Sequence, residues 1–209
     1  MDNNLELLKR ELEAYASDNG VPILRETERH ILLAAAEKVA PRKILEIGTA
    51  IGYSALLMGE RFPEAEIDTI EVDVNRHGFA QKVMERAQMS GRIHCHLGDA
   101  AQIIPTLKGP YDFVFLDGPK GQYLRELRAI EPLLSNKAVI AADNVLFRGL
   151  VRQEGSVPHR YRTLVLRLRE YIDYVMEQYE TVIHEEGDGM AVSIIRNEEL
   201  GMRNEGGGA

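Results

Sequence analysis

Five short apolar runs alternate with stretches of helical period between residues 44 and 142, and this alternation leaves the chain few folds. The runs cover residues 44–47, 66–72, 93–97, 111–116 and 138–142; the helical stretches cover 53–61, 75–89, 101–107 and 123–134. Strands that are apolar along their whole length must be covered on both faces, and the intervening helices supply the cover. The expected architecture is therefore α/β, a doubly wound and mostly parallel sheet. Ahead of it, Leu5, Leu8, Leu12 and Tyr15 recur at three- and four-residue steps and predict a helix over 5–16. A second helix is expected over 26–39, closed by Pro41. Behind the alternating part, a long helix over 161–179 precedes two β-rich runs, 181–184 and 191–195. The turn Gly187-Asp188-Gly189 joins them as a hairpin, so the last strand should run antiparallel. Residues 1–200 read as one domain, with 1–40 as its helical N-terminal part. The polar, glycine-rich stretch 201–209 reads as a disordered tail.

Composition narrows the class of function. Hydrophobic residues make up 44% of the 209 and charged ones 28%, enough to bury a large core. The longest apolar run, Ile31–Ala36, falls far short of the roughly 18 residues of a membrane span. Met1-Asp2-Asn3-Asn4 has no basic region leading into an apolar one, so no export signal is expected and the cytoplasm is the expected location. Cys95 is the single cysteine, which excludes an internal disulfide and any cysteine-built zinc or iron–sulfur centre. A net charge of -8 argues against non-specific coating of nucleic acid, whose affinity comes from neutralising phosphates. Residues 148–169 depart from that balance, with six arginines against Glu154 alone. Such a segment is either a solvated helix face or a grip for one particular nucleic acid.

In an open α/β sheet, ligands bind beyond the C-terminal ends of the strands. Here the five ends read Gly48-Thr49-Ala50, Glu71-Val72-Asp73, Gly98-Asp99-Ala100, Asp117-Gly118-Pro119-Lys120 and Asp143-Asn144-Val145. The first turn is glycine-rich yet lacks the dinucleotide fingerprint, because Ala50 and Tyr53 stand where the second and third glycines would be. Hydride transfer from a nicotinamide cofactor is thereby disfavoured. Glu71 follows Gly48 by about the interval expected of an acid that accepts from ribose hydroxyls, and Asp99 can reach an adenine amine. Each taken alone is more simply a helix cap. In strand order they specify an adenosine-containing cofactor without pyrophosphate. Asp117, Asp143 and Asn144 end neighbouring strands and offer only oxygen, a donor set suited to a hard cation such as Mg²⁺. Lys120 is placed to share that site as a general base. His94 and His96 fall on one strand face, where two solvated polar positions are the simpler reading than a shared metal.

The segments Glu-x-Gly-Thr-Ala-x-Gly-Tyr-Ser, Leu-Asp-x-x-Lys and Ala-Asp-Asn-Val, starting at Glu46, Leu116 and Ala142, resemble those of the metal-dependent, catechol-type S-adenosylmethionine (SAM) O-methyltransferases. The similarity extends from about residue 21 to 196. Within that family, Lys120-Gly121-Gln122-Tyr123, the stretch 143–151 and the basic segment near Arg160 look most like the bacterial tRNA 5-hydroxyuridine methyltransferases. The resemblance implies a Rossmann-like class I methyltransferase with a seven-stranded sheet. It further implies Mg²⁺ or another divalent cation on Asp117, Asp143 and Asn144, cofactor ribose on Glu71, and adenine framed by Asp99 and Ala100. Leu24, Ser54 and Asp117 would line the methionine end near Gly48. It also implies a homodimer. Gly118-Pro119 departs from the pattern, since the catechol enzymes carry bulkier residues there.

These readings converge on an in-line methyl transfer to a chelated hydroxyl, with Lys120 handling the proton. A catechol and 5-hydroxyuracil both present two neighbouring oxygens, so the metal ligands alone do not separate a small catechol-like acceptor from a tRNA anticodon loop. Arg148, Arg152, Arg160 and Arg162 are the residues expected to contact the RNA backbone if tRNA is the partner. A non-catalytic SAM- or RNA-binding protein is the alternative of a different class.

Overall fold

The computed structural model describes residues 2–196; the expected tail at 201–209 lies outside the described residues. Two helices, α1 (Asp2–Asn19) and α2 (Glu26–Glu37), precede five βα alternations. The strands are β1 (Lys43–Ile47), β2 (Glu66–Glu71), β3 (Ile93–Leu97), β4 (Tyr111–Leu116) and β5 (Leu134–Ala142). Between them lie α3 (Tyr53–Arg61), α4 (Val74–Arg86), α5 (Ala100–Ile103) and α6 (Tyr123–Ile130). The chain then forms α7 (Arg162–Gln178) and the hairpin β6 (Tyr179–His184) and β7 (Met190–Ile195). All seven strands join one sheet in the order β3-β2-β1-β4-β5-β7-β6. Only β7 runs against its neighbours, β5 and β6, as the Gly187-Asp188-Gly189 turn predicted.

The sheet carries a separate apolar layer on each face. Ile44, Phe113, Phe115 and Val139 point toward α1 to α4, whose Leu8, Leu12, Leu32, Leu56 and Met84 are buried against them. Leu45, Ile47, Val114 and Ile140 point the other way, toward Leu127, Leu168 and Val175 of α6 and α7. Consecutive strand residues alternate between the two layers, so the doubly wound arrangement follows directly from the uninterrupted apolar runs. Cys95 packs against the first layer as a small apolar side chain.

Three expected boundaries differ most, each at a proline or a polar stretch. The helix expected over 101–107 makes one α turn and tightens at Ile104–Thr106, where Pro105 has no N–H for a continuing helix. The helix expected over 123–134 ends at Ile130, followed by a tight turn containing Pro132. Strand β5 starts at Leu134, before its expected start at 138, because Ser135, Asn136 and Lys137 are polar and half-buried or exposed although they belong to the strand.

Two features at the end of β1 fix the rim of the sheet. Glu46 is completely buried and accepts the hydroxyls of Ser54 at 2.5 Å and Thr69 at 2.6 Å, and Thr69 meets Thr49 at 2.6 Å. This chain ties β1, β2 and the start of α3 together beneath the first turn. Gly48 has φ +101 and donates its N–H to Ile70 at 2.9 Å. A Cβ there would sit 2.4 Å from the Asp117 carbonyl oxygen and 2.7 Å from its carbon. These are backbone atoms of the neighbouring strand end and cannot move aside.

Gly48→Ala should therefore lower the melting temperature by several degrees and abolish binding of S-adenosylhomocysteine (SAH), measured by calorimetry. Wild-type behaviour in both would contradict the close approach of the two strand ends. Burial raises the Glu46 carboxyl from 4.5 to about 7. Because its folded value lies above its unfolded one, the stability it contributes is complete below the unfolded value and is lost as pH rises through about 7. Urea midpoints should accordingly fall between pH 5 and pH 8, and Glu46→Gln should flatten that slope; equal slopes for the two proteins would refute the assignment.

Candidate functional site

The C-terminal ends of β1 to β5 open into a cavity of about 750 Å³. Of the residues expected at a cofactor site, Leu24, Gly48, Glu71, Asp99, Ala100 and Asp117 line it. Asp143, Asn144 and Lys120, expected at the metal and base positions, line it as well. Ser54 does not: its hydroxyl is turned under the floor toward Glu46.

The cofactor-side acids are held by backbone donors. Glu71 accepts the Ala50 N–H at 2.8 Å on one oxygen and the Asp73 N–H at 2.9 Å on the other. Each carboxylate oxygen can accept a second hydrogen bond, so this fixes Glu71 without exhausting it. Asp99 caps α5 by accepting the Ala101 N–H at 2.8 Å through Oδ1. The capping role and the cavity-facing role are therefore held by one residue.

Asp117 and Asp143 are adjacent because Leu116 and Ala142 are register partners in β4 and β5. Burial raises the Asp117 carboxyl well above the carboxylate range, and the Asp143 charge raises it further. Asp143 rises to about 6, first through burial, with Glu28 and Asp188 adding to the effect. The positive charge of Lys120 works the other way at both aspartates. Asn144 donates its backbone N–H to Asp143 Oδ1 at 2.8 Å and its Nδ2 to Oδ2 at 3.1 Å, leaving the amide oxygen outside those contacts. Among the described residues no three His, Cys, Asp or Glu side chains form a metal-binding group. The candidate set here is two carboxylates and an amide oxygen, whose crowded negative charge and hard donors fit a divalent cation. His94 and His96 share none: His96 Nε2 meets Asp68 Oδ1 at 2.7 Å and His94 is exposed.

Three acidic cavity residues escaped the sequence reading. Glu28 is the third residue of α2, where its carboxylate accepts the Arg25 N–H at 2.7 Å; the capping pattern Arg25-x-x-Glu28 was the available signal. Asp188 sits at the tip of the β6–β7 turn, recognised only as a turn. Glu126 comes from the first turn of α6. The β6–β7 turn is stitched to the loop after β5: Val145 N–H donates to Gly189 O at 3.0 Å, Leu146 N–H to Asp188 O at 2.8 Å, and Arg148 N–H to Asp188 Oδ1 at 3.1 Å. That loop holds Asn144, Phe147 and Arg148 at positive φ, conformations non-glycine residues rarely adopt and which cluster at functional sites.

The four arginines expected to touch RNA lie outside the cavity and divide into two kinds. Arg152 pairs with Glu185 at 2.6 Å, and Arg162 donates to the Val157 carbonyl at 3.2 Å. Arg169 likewise holds Val151 and Gln153 carbonyls at 2.9 Å. Arg148 and Arg160 instead lie over aromatic rings, 6.0 and 4.6 Å from the Tyr161 centroid, and Phe147 meets Tyr161 edge-to-face at 5.3 Å. Three of the six arginines of 148–169 thus secure the segment itself.

Comparison with known proteins agrees with this geometry. The sequence model of the O-methyltransferase family matches residues 5–195. The catechol O-methyltransferase of Niastella koreensis is 30% identical over 171 residues, covering 77% of this chain and 76% of the relative. That of Sus scrofa is 35% identical over 127 residues, covering 57% and 68%. A Staphylococcus aureus structure solved as a candidate caffeoyl-CoA O-methyltransferase superposes with a TM-score of 0.83 at 26% identity, over 90% of this chain and 92% of that one. An SAH-bound methyltransferase from Podospora anserina, at 23% identity, shares the fold with a TM-score of 0.79 over 94% and 89%. With a cavity at the strand ends, a family match across nearly the whole chain and relatives of this kind, the chain belongs to the O-methyltransferase family and is a SAM-dependent O-methyltransferase.

Proposed function

We propose that this enzyme methylates a hydroxyl held by a divalent cation, and that the acceptor is 5-hydroxyuridine at the tRNA wobble position, giving 5-methoxyuridine. The observation that carries the choice of acceptor is the contrast between cavity and rim. None of the described lining residues is aromatic, so a free catechol ring finds no stacking partner there. Just outside, Phe147, Arg148, Arg160 and Tyr161 form a cationic and aromatic platform, joined to the cavity through Asp188. Splayed bases and phosphates of an anticodon loop fit such a platform. The relatives named catechol O-methyltransferase favour a second reading, a small catechol-like acceptor chelated through its two oxygens.

In this reading SAM lies along the strand ends, with ribose hydroxyls on Glu71, adenine at Asp99 and Ala100, and the methionine end between Leu24, Gly48 and Asp117. Mg²⁺ on Asp117, Asp143 and Asn144 would acidify the acceptor hydroxyl and align it with the methyl group. Lys120, on the same wall, takes or stabilises the departing proton. Glu28 and Asp188 keep the surrounding wall acidic and so repel anions other than the one being neutralised. A homodimer in the cytoplasm belongs to the same proposal.

Incubation with SAM, Mg²⁺ and hydroxyuridine-containing tRNA should add one methyl to 5-hydroxyuridine, read by nucleoside mass spectrometry, and EDTA should abolish it. No gain from a protein that binds SAH would transfer the assignment to the small catechol-like acceptor. Arg148→Ala with Arg160→Ala should reduce the slope of log affinity for tRNA against log salt by about two while leaving SAH affinity unchanged. An unchanged slope would remove the platform from RNA binding.

A further inference from the structure

Glu126 is a buried acid that serves no visible structural purpose. It is 2% exposed, and its Oε2 is withdrawn from solvent with no hydrogen-bond donor among the described residues. A buried carboxylate oxygen without a partner costs stability, and such a group persists in a native fold for a reason. Glu126 nevertheless lines the cavity, four residues after Gln122, which lines it too. Gln122 accepts the Arg125 guanidinium through its amide oxygen and makes no hydrogen bond to Glu126 among the described residues. Burial raises the Glu126 carboxyl to about 7; Arg125 opposes this and Asp99 adds to it. The influence of Asp99 and the packing of α5 against α6 bring Glu126 toward the Asp99–Ala100 part of the cavity.

On the SAM reading of this cavity, that part receives the adenine. An exocyclic amine carries two hydrogens, and Asp99 keeps one oxygen, Oδ2, outside its capping contact. We propose that Glu126 is an adenine-specificity residue, accepting the hydrogen of the cofactor's 6-amino group that Asp99 does not take. Two acceptors facing one position welcome an amine and repel the carbonyl of a 6-oxopurine. A site built to hydrogen-bond one group rejects an analogue lacking it far more strongly than an apolar pocket does. The missing partner of Glu126 is thus a ligand atom.

The test compares calorimetric titrations of wild type, Glu126→Gln and Glu126→Leu with SAH and with S-inosylhomocysteine, its 6-oxo analogue. Wild type should prefer SAH, and Glu126→Gln, whose amide can donate to a carbonyl, should narrow that preference by about tenfold. Glu126→Leu should weaken SAH binding while raising the melting temperature, because it removes an unsatisfied buried acid. A merely structural glutamate would do the reverse, losing stability without changing the ratio of the two affinities. An unchanged ratio in both variants overturns the proposal while leaving the cavity as the cofactor site. If instead Glu71→Gln leaves SAH affinity untouched, or wild type binds no SAH, the cofactor reading of the cavity itself fails and the proposal with it.

Discussion

The parallel register of β4 and β5 sets Leu116 beside Ala142, and therefore sets the carboxylates of Asp117 and Asp143 side by side where both strands run out. Two acids brought together at the edge of an apolar sheet are under electrostatic pressure that burial intensifies. The rise in both carboxyls is the visible consequence. Such a pair is relieved by protonation or by a cation, and a soft or nitrogen-rich metal site is not what these donors offer. The rest of the site is arranged around that pressure. Asn144 adds an amide oxygen on one side, Lys120 a positive charge on another, and Glu28 and Asp188 further negative charge.

Several independent segments converge to hold that arrangement, which gives the rim a rigidity that isolated loops lack. Gly48 lets the first turn pass against the backbone of Asp117, and the Glu46 network braces the same turn from below. The β6–β7 hairpin grips the loop after β5 through three backbone donors, keeping Asn144, Phe147 and Arg148 in left-handed conformations they would otherwise leave. The antiparallel last strand thus does more than complete the sheet. Its turn delivers Asp188 to the cavity wall and clamps the segment that separates the acidic interior from the cationic rim.

How much of this was legible in the chain depended on whether a residue's role was local. The strand-end acids could be found because each follows its own apolar run directly, and the open-sheet rule says where such residues face. The two apolar layers followed for the same reason. Glu28, Asp188 and Glu126 were not found, because each enters the cavity from an element whose local signal has another sufficient explanation: a cap, a turn, a helix surface. Ser54 shows the converse. It stands in a motif segment, yet the orientation of its hydroxyl is decided by Glu46, eight residues earlier and buried beneath it. The arginine-rich segment was legible as a charge excess, whereas its division into side chains that anchor the segment and side chains that lie over aromatic rings depends on contacts with Glu185, the carbonyls of 151, 153 and 157, and Tyr161.

In the proposed reading, the crowded acids at the β4 and β5 ends are a cation site facing the methyl donor. Anomalous diffraction from crystals grown with Mn²⁺ and SAH tests it most directly. One strong anomalous peak is expected within coordination distance of Asp117, Asp143 and Asn144 oxygens, with the SAH sulfur turned toward it and its ribose on Glu71. Bound SAH in the cavity with no anomalous peak at these three residues would contradict it.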